Sequence, residues 1–285
     1  MTVEAQAATG PKIDPGWWER YGADWPEWAK GAGNRVQAWV YEQMSAITQA
    51  DSAYAAFTRL HVYRESLETT LELLPSIPRG SVLDLGCGKG TAFPPILAAT
   101  QADYLLGLDL SETMLADAQS LAKELGRANP VQKIDLRQVD IAKPWQEQGV
   151  EGQFDAIFSH LVICWLTPDQ REQVMTQIAK HLTPNGQAVI GFRNKRWNQA
   201  RVKRHIRDEI RHSWRATAGA LFSRTHTDAM ERQITSGLVG ATRPTLEEMT
   251  NLISRNGLRV TQVENTFWPE DPEGPAGHAL RAVKA

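Results

Sequence analysis

The chain has 285 residues and a formal net charge of −2 at pH 7, which leaves room for one sizeable α/β domain with extensions. That charge balance gives no push toward nucleic acid or a membrane surface, and no apolar run approaches the roughly 18 residues of a span. Two cysteines, Cys87 and Cys164, carry no C-x-x-C or Cys/His spacing, so a disulfide scaffold or metal site is not expected and the reducing cytoplasm is.

The first residues, MTVEAQAATGPK, lack a basic region followed by an apolar core and read as a short disordered leader rather than a secretory signal. Tryptophan is over-used, with ten in all, and Trp17, Trp18, Trp25, Trp28 and Trp39 crowd the N-terminal end. Residues 13–33 mix Trp, Gly and Pro without a clean period, as a loop or broken helix packed over something apolar would. Val36, Trp39, Val40, Gln43 and Ile47 then recur at helical spacing. Asp51 is placed to cap a second helix with Phe57, Leu60, Leu67, Leu71 and Leu74 on one stripe. Neither stripe can be buried alone, so both helices are expected to lie against the domain that follows.

From residue 81 the pattern changes. SVLDL is a short apolar run of the buried-strand kind, and a helix is expected from after Gly90 to Ala99. YLLGLDL is a second strand, ending at Asp109. Ser111 is a good N-cap for a helix whose buried face holds Met114, Leu115, Ala118, Leu121, Ala122 and Leu125, with Gly126 as its expected stop. IDLRQVDI predicts a third strand ending at Asp140, and FDAIFSH a fourth ending near Ser159 and His160. Thr167 and Pro168 open a helix to Leu182, and TPNG turns into a fifth strand, QAVIGFRN. Strands and helices in this alternation mean βαβ units and a parallel sheet covered on both faces. Thr245 and Glu248 make a capping box for one more helix, and two closing strands are expected at 258–267 and 279–283.

The turn after the first strand carries the chemistry. Gly86, Gly88 and Gly90 alternate with Cys87 and Lys89, so backbone can turn sharply and come close to a ligand. A dinucleotide fingerprint would read G-x-G-x-x-G; here the spacing is G-x-G-x-G, with Asp84 two residues before it. An acid there repels a diphosphate and welcomes a cationic amino group. Asp84, Asp109 and Asp140 each have a bland alternative as turn or helix-start residues. Three acids at three successive strand ends are a joint pattern, placed where open α/β sheets bind ligands.

The stretch 81–93 resembles motif I of the class I S-adenosylmethionine (SAM) dependent methyltransferases, D-x-G-x-G-x-G, at every fixed position. The resemblance runs from about residue 75 to the end and implies a seven-stranded, mostly parallel sheet whose last strand is antiparallel. It implies SAM as cofactor, leaving as S-adenosylhomocysteine. Gly86, Cys87, Gly88 and Gly90 would lie under the methionyl part, and Asp84 would attract its ammonium. Asp109, followed by Leu110, would accept from both ribose hydroxyls, a task a carboxylate suits because it offers two coplanar acceptors. Asp140 would meet the adenine amino group, with the backbone amide of Ile141 beside it. Met114 would pack on the adenine or ribose edge, and Ser159 would present backbone to the methionyl part.

His160 is expected to face the methyl, as general base, substrate ligand or packed ring. Arg193 and Asn194, at the end of strand five, face the same pocket; Arg193 either holds an acceptor carboxylate bidentately or forms a surface salt bridge. Tyr21, Trp25 and Trp28 are candidates for an aromatic lid over the acceptor, with plain core packing as the alternative. The basic stretch 195–215 has eight Lys or Arg against Asp208 and Glu209. It reads as an amphipathic helix that caps the site or forms a dimer contact rather than an RNA-binding face. SHLVICWL stands where base-amino methyltransferases carry N/D-P-P-Y/F, which argues against nucleic-acid N-methylation.

The expected organisation is a leader and helical lid over 1–75, a SAM-binding core over 76–194, a helical insert over 195–243, and a closing helix and hairpin over 244–285. The expected function is methyl transfer to a small molecule, possible acceptors being amino-acid-like or carboxylate-bearing compounds with S, N or O as the nucleophile. An RNA or protein methyltransferase and a non-catalytic SAM-binding regulator are the alternatives.

Overall fold

The apolar runs form neighbouring strands, as their composition requires, and seven strands join one sheet in the order β3-β2-β1-β4-β5-β7-β6. This is a computed structural model, and it describes residues 61–129, 132–197, 201, 204–205 and 243–285. Expectations for Tyr21, Trp25, Trp28 and the 195–215 helix therefore lie outside the described residues, apart from residues 195–197, 201, 204 and 205.

The strands are β1 (Ser81–Leu85), β2 (Tyr104–Asp109), β3 (Lys133–Gln138), β4 (Phe154–His160), β5 (Leu182–Arg193), β6 (Leu258–Thr266) and β7 (Gly277–Lys284). The first five pair in parallel, and β7 runs antiparallel between β5 and β6. Val82, Leu83, Leu85, Leu105, Leu106 and Leu108 are at most 2% exposed. Each such side chain contributes about 1.5–3 kcal/mol on burial, so the central strands can carry a buried polar group at their ends.

Helix α1 (His61–Leu71) buries Val62, Tyr63, Leu67 and Leu71 and lies against β5, as its apolar stripe demands. With α2 (Phe93–Thr100) and α3 (Glu112–Ala128) it covers one face of the sheet; α4 (Pro168–His181) and α5 (Leu246–Arg255) cover the other. The caps form as expected: the Ser111 hydroxyl accepts from Met114 N–H, and Thr167/Gln170 and Thr245/Glu248 form capping boxes. Among the described residues no helix is long and apolar enough to cross a membrane.

Three boundaries differ from expectation. Gly126 does not stop α3, which continues to Ala128 with Asn129 N–H on the Leu125 carbonyl. A mid-helix glycine costs only about 1 kcal/mol, less than the two further residues return in hydrogen bonds and in Arg127 at the helix C-terminus. β3 ends at Gln138 rather than Asp140, because the Gln148 side chain takes both the N–H and the carbonyl of Asp140. β5 begins before QAVIGFRN: Leu182 pairs with Phe154 and Gln187 with Ala156, which leaves TPNG looped out of the ladder.

Strand order reverses between β1 and β4, so the turns after β1, β2 and β4 meet over one crevice at the C-terminal edge of the sheet.

Candidate active site

The turn after β1 is built from three left-handed glycines, Gly86, Gly88 and Gly90, with φ of 70°, 54° and 78°. Their surroundings differ. A Cβ on Gly86 would sit 2.3 Å from Val162 Cγ2 and one on Gly90 2.6 Å from Phe93 Cε2, while one on Gly88 meets nothing within 4 Å. Gly86 and Gly90 let the turn press onto the core; Gly88, among the described residues, faces open space.

Asp109 ties this turn to the next element. Its Oδ2 accepts from Gly88 N–H at 2.8 Å and its Oδ1 from Ser111 N–H at 2.9 Å, which leaves a second lone pair on each oxygen. Burial pushes its carboxyl above the usual range against the opposing pull of those amides. Asp84 is also buried, and among the described residues its Oδ2 has no hydrogen-bond partner. Desolvation, with the nearby Asp109 second, raises its pKa to about 8. An acid in that state is a receptor for a cation. Burial and the same two carboxylates also raise the Cys87 thiol, which leaves it a small, unreactive residue of the turn.

Leu110, directly after Asp109, is 47% exposed, while Met114 and Ile141 are buried. The Asp140 carboxylate accepts from Ala142 N–H at 3.1 Å and pairs with Lys143 at 3.4 Å. Ser159 is fully buried, its hydroxyl on the Leu85 carbonyl at 3.4 Å, so it joins β4 to β1. Sequence reasoning missed Lys89, whose ammonium pairs with Asp117 at 3.1 Å with both side chains 7% exposed, anchoring the turn to α3.

A family described as a methyltransferase domain matches residues 83–188, from within β1 to within β5. Those residues are a class I SAM-dependent methyltransferase domain. Trans-aconitate 2-methyltransferase of Deinococcus radiodurans is 32% identical over 118 residues, 41% of this chain and 40% of that protein. An uncharacterised protein of Rickettsia prowazekii is 25% identical over 170 residues, 58% of this chain and 65% of that protein. The chain thus spans less than two thirds of the length of these curated relatives. Magnesium protoporphyrin IX methyltransferase of Synechocystis PCC 6803, solved with bound SAM, shares the fold at a TM-score of 0.52 and 16% identity, over 90% of this chain and 99% of that one.

The site of the methyltransferase domain fits SAM. The partnerless Asp84 Oδ2 suits an ammonium, the open face of Gly88 leaves space for the methionyl part, and Asp109 keeps lone pairs for a diol. One consequence is a pH dependence. Burial raises the Asp84 pKa to about 8, so if it receives the ammonium it must first lose its proton. Affinity for S-adenosylhomocysteine is therefore expected to rise from pH 6 to about 8, approaching tenfold per unit, with proton release on binding. Above about pH 8 it levels off, because the Asp84 carboxylate is then ionised, and it falls only at the higher pH where the ligand's own α-ammonium deprotonates. Calorimetric titrations in buffers of different ionisation enthalpy measure both; a flat profile between pH 6 and 8 removes Asp84 from the ammonium.

His160 and Arg193 project from the C-terminal ends of β4 and β5 on the face that α1 covers, with His160 paired to Gly191 across the ladder. Nε2 of His160 shares a hydrogen bond of 3.1 Å with the Ser66 hydroxyl, and the ring stands edge-on to Tyr63 at 5.4 Å. Burial, with Arg193 adding to it, lowers its pKa to about 3, so the ring is neutral at physiological pH. Asn194, expected beside the acceptor, instead secures the C-terminal hairpin. Its amide donates to the Pro275 carbonyl at 3.0 Å and lies 3.0 Å from His278 Nε2, while its Oδ1 accepts from Arg196 N–H. The partners Ser66, Tyr63 and His278 had no local signal, since each lies more than 80 residues from the side chain it meets.

Proposed function

We propose that this chain transfers the methyl group of SAM to a small-molecule acceptor, with S-adenosylhomocysteine as the second product. The observation that carries the reading is the pair of buried strand-end carboxylates, Asp84 and Asp109, set around the open face of Gly88. Bound SAM supplies an electrophilic methyl on a sulfonium, and the chain supplies position and shelter. Asp84 holds the ammonium, Asp109 the ribose, and Leu110, Met114 and Ile141 the adenine side, with Asp140 near its amino group. Ser159 lends backbone along the methionyl part.

Direct displacement needs an acceptor held in line and water kept out. His160 and Arg193 do this from under α1, in a setting suited to a small group rather than a polymer surface. A ring kept neutral by burial orients an acceptor better than it takes a proton, which favours nucleophiles that carry no proton to lose: a carboxylate oxygen, a thiolate or a tertiary amine. A carboxylate-bearing or amino-acid-like acceptor suits Arg193 best. In the same reading, the lid and homodimer roles fall to the sequence's candidates for them, the 1–75 leader and the 195–243 insert. Nucleic acid is not a partner, and the protein works in the cytoplasm.

The test is transfer of radiolabelled methyl from SAM into a cell extract split into low-mass filtrate, RNA and protein. Label is expected in the filtrate. Label confined to RNA or protein overturns the substrate class, and SAM binding with no label in any fraction favours a regulator.

A further inference from the structure

Arg193 is only 5% exposed, and among the described residues it has no carboxylate partner. Its Nη2 reaches a thiol, Cys164 Sγ at 3.8 Å, and its Nε is buried with no acceptor at all. The guanidinium carbon lies over two indoles, Trp165 and Trp197, each with its ring centre 5.1 Å away. Indole faces attract the cation but cannot accept its in-plane N–H groups. Trp197 adds a second orphan, since its own indole N–H is fully buried without an acceptor.

Arg243, 7% exposed, lies close enough that the positive charge of Arg193, after burial, helps push its own pKa down. Among the described residues, the neighbours of Arg193 are neutral or positive: His160 from β4, Cys164 and Trp165 from the 3-10 turn Ile163–Trp165, Trp197 after β5, and Arg243 before α5. What Arg193 lacks among the described residues is an oxyanion, and its unpaired Nε lies on an edge of the guanidinium that can receive one. A planar group meeting that edge makes two parallel hydrogen bonds, which is how arginine reads a carboxylate.

We propose that Arg193, backed by Trp197 and Arg243, forms an anion subsite that receives an oxyanion of the acceptor and so restricts the substrates to anionic small molecules. The inference rests on the proposed methyl transfer and names the substrate class of that same site. A carboxylate is the favoured oxyanion, and a phosphate monoester offers the same chemistry. The subsite also sets the geometry of transfer: the anchored oxyanion is held by N–H donors and is not the nucleophile. A second atom of the acceptor attacks the methyl carbon, the carbon–sulfur bond breaks, and its electron pair stays on sulfur.

The experiment passes the low-mass filtrate of an extract over an anion-exchange resin and assays the unbound and salt-eluted fractions separately for labelled methyl. Label is expected in the eluted fraction; label only in the unbound fraction overturns the subsite. An unfractionated filtrate that takes no label at all instead indicts the methyl-transfer reading. Phosphatase treatment of the eluted fraction separates the two sources, since a phosphate monoester loses its acceptor activity and a carboxylate keeps it. With the active fraction as substrate, Arg193→Gln is expected to lower kcat/KM by about tenfold or more, mostly through KM, with S-adenosylhomocysteine affinity within about twofold of wild type. Arg193→Lys, the milder change, keeps the charge but not the fork and is expected to raise KM about fivefold. Wild-type KM in both variants overturns the proposal.

Discussion

Asp109→Ala is expected to weaken binding of S-adenosylhomocysteine by about 10²–10⁴-fold. Two charge-assisted hydrogen bonds to a ribose are each worth about 1.5–3 kcal/mol, and each 1.4 kcal/mol is about tenfold in affinity. The substitution also releases Gly88 N–H and Ser111 N–H from their shared acceptor, so the glycine turn loses its tie to α3. Asp109→Asn separates the two effects. Its single carbonyl oxygen can hold one of those amides but not both, so an intermediate loss is expected. Isothermal titration measures each variant, and wild-type affinity in Asp109→Ala would sink the binding assignment.

Gly86→Ala and Gly88→Ala are expected to fail in different ways although they lie two residues apart in one turn. At Gly86 an added methyl sits 2.3 Å from Val162 Cγ2 at a φ of +70°. Left-handed strain of about 1–2 kcal/mol adds to overpacking of about 1–3 kcal/mol, and the β-branched valine has no free rotamer to yield. The melting temperature is expected to drop by about 5–15 °C, at roughly 2–4 °C per kcal/mol for a domain of this size. Val162→Ala in the same chain should return part of that loss. At Gly88 the φ of +54° carries the strain alone, since the new methyl meets no protein atom. A loss of only a few degrees is expected, at roughly 2–4 °C per kcal/mol. SAM affinity should fall by about tenfold or more, because the methyl takes the ligand's space. Equal effects on stability and binding at both positions would remove the distinction between a packing glycine and a ligand-facing one.

Much of this was legible along the chain. The strand runs, the caps at Ser111, Thr167 and Thr245, and the turn at 86–90 were read from spacing of apolar residues and from residues that tolerate left-handed backbone or cap a helix. Asp84 and Asp109 were placed by the same logic, as acids at strand ends. The acceptor side was not legible. Trp165 and Trp197 flank Arg193 from two separate loops, and Ser66 meets His160 across 94 residues of sequence. Asn194 looked like a pocket residue because it ends β5, yet its amide bonds the Pro275 carbonyl, 81 residues on.

By itself the sequence determined the alternation of strands and helices, the glycine turn and the ends at which the acids stand. Those depend on hydrophobic period, allowed φ and capping, all of which act over a few residues. The tertiary structure decided the charge state and partners of each group. Asp84 rises to about 8 and His160 falls to about 3 because burial strips water from them. Among the described residues, Arg193 is left without an anion by the same packing. Desolvation is the sum of everything packed around a group, and that sum exists only once distant segments have closed on one another.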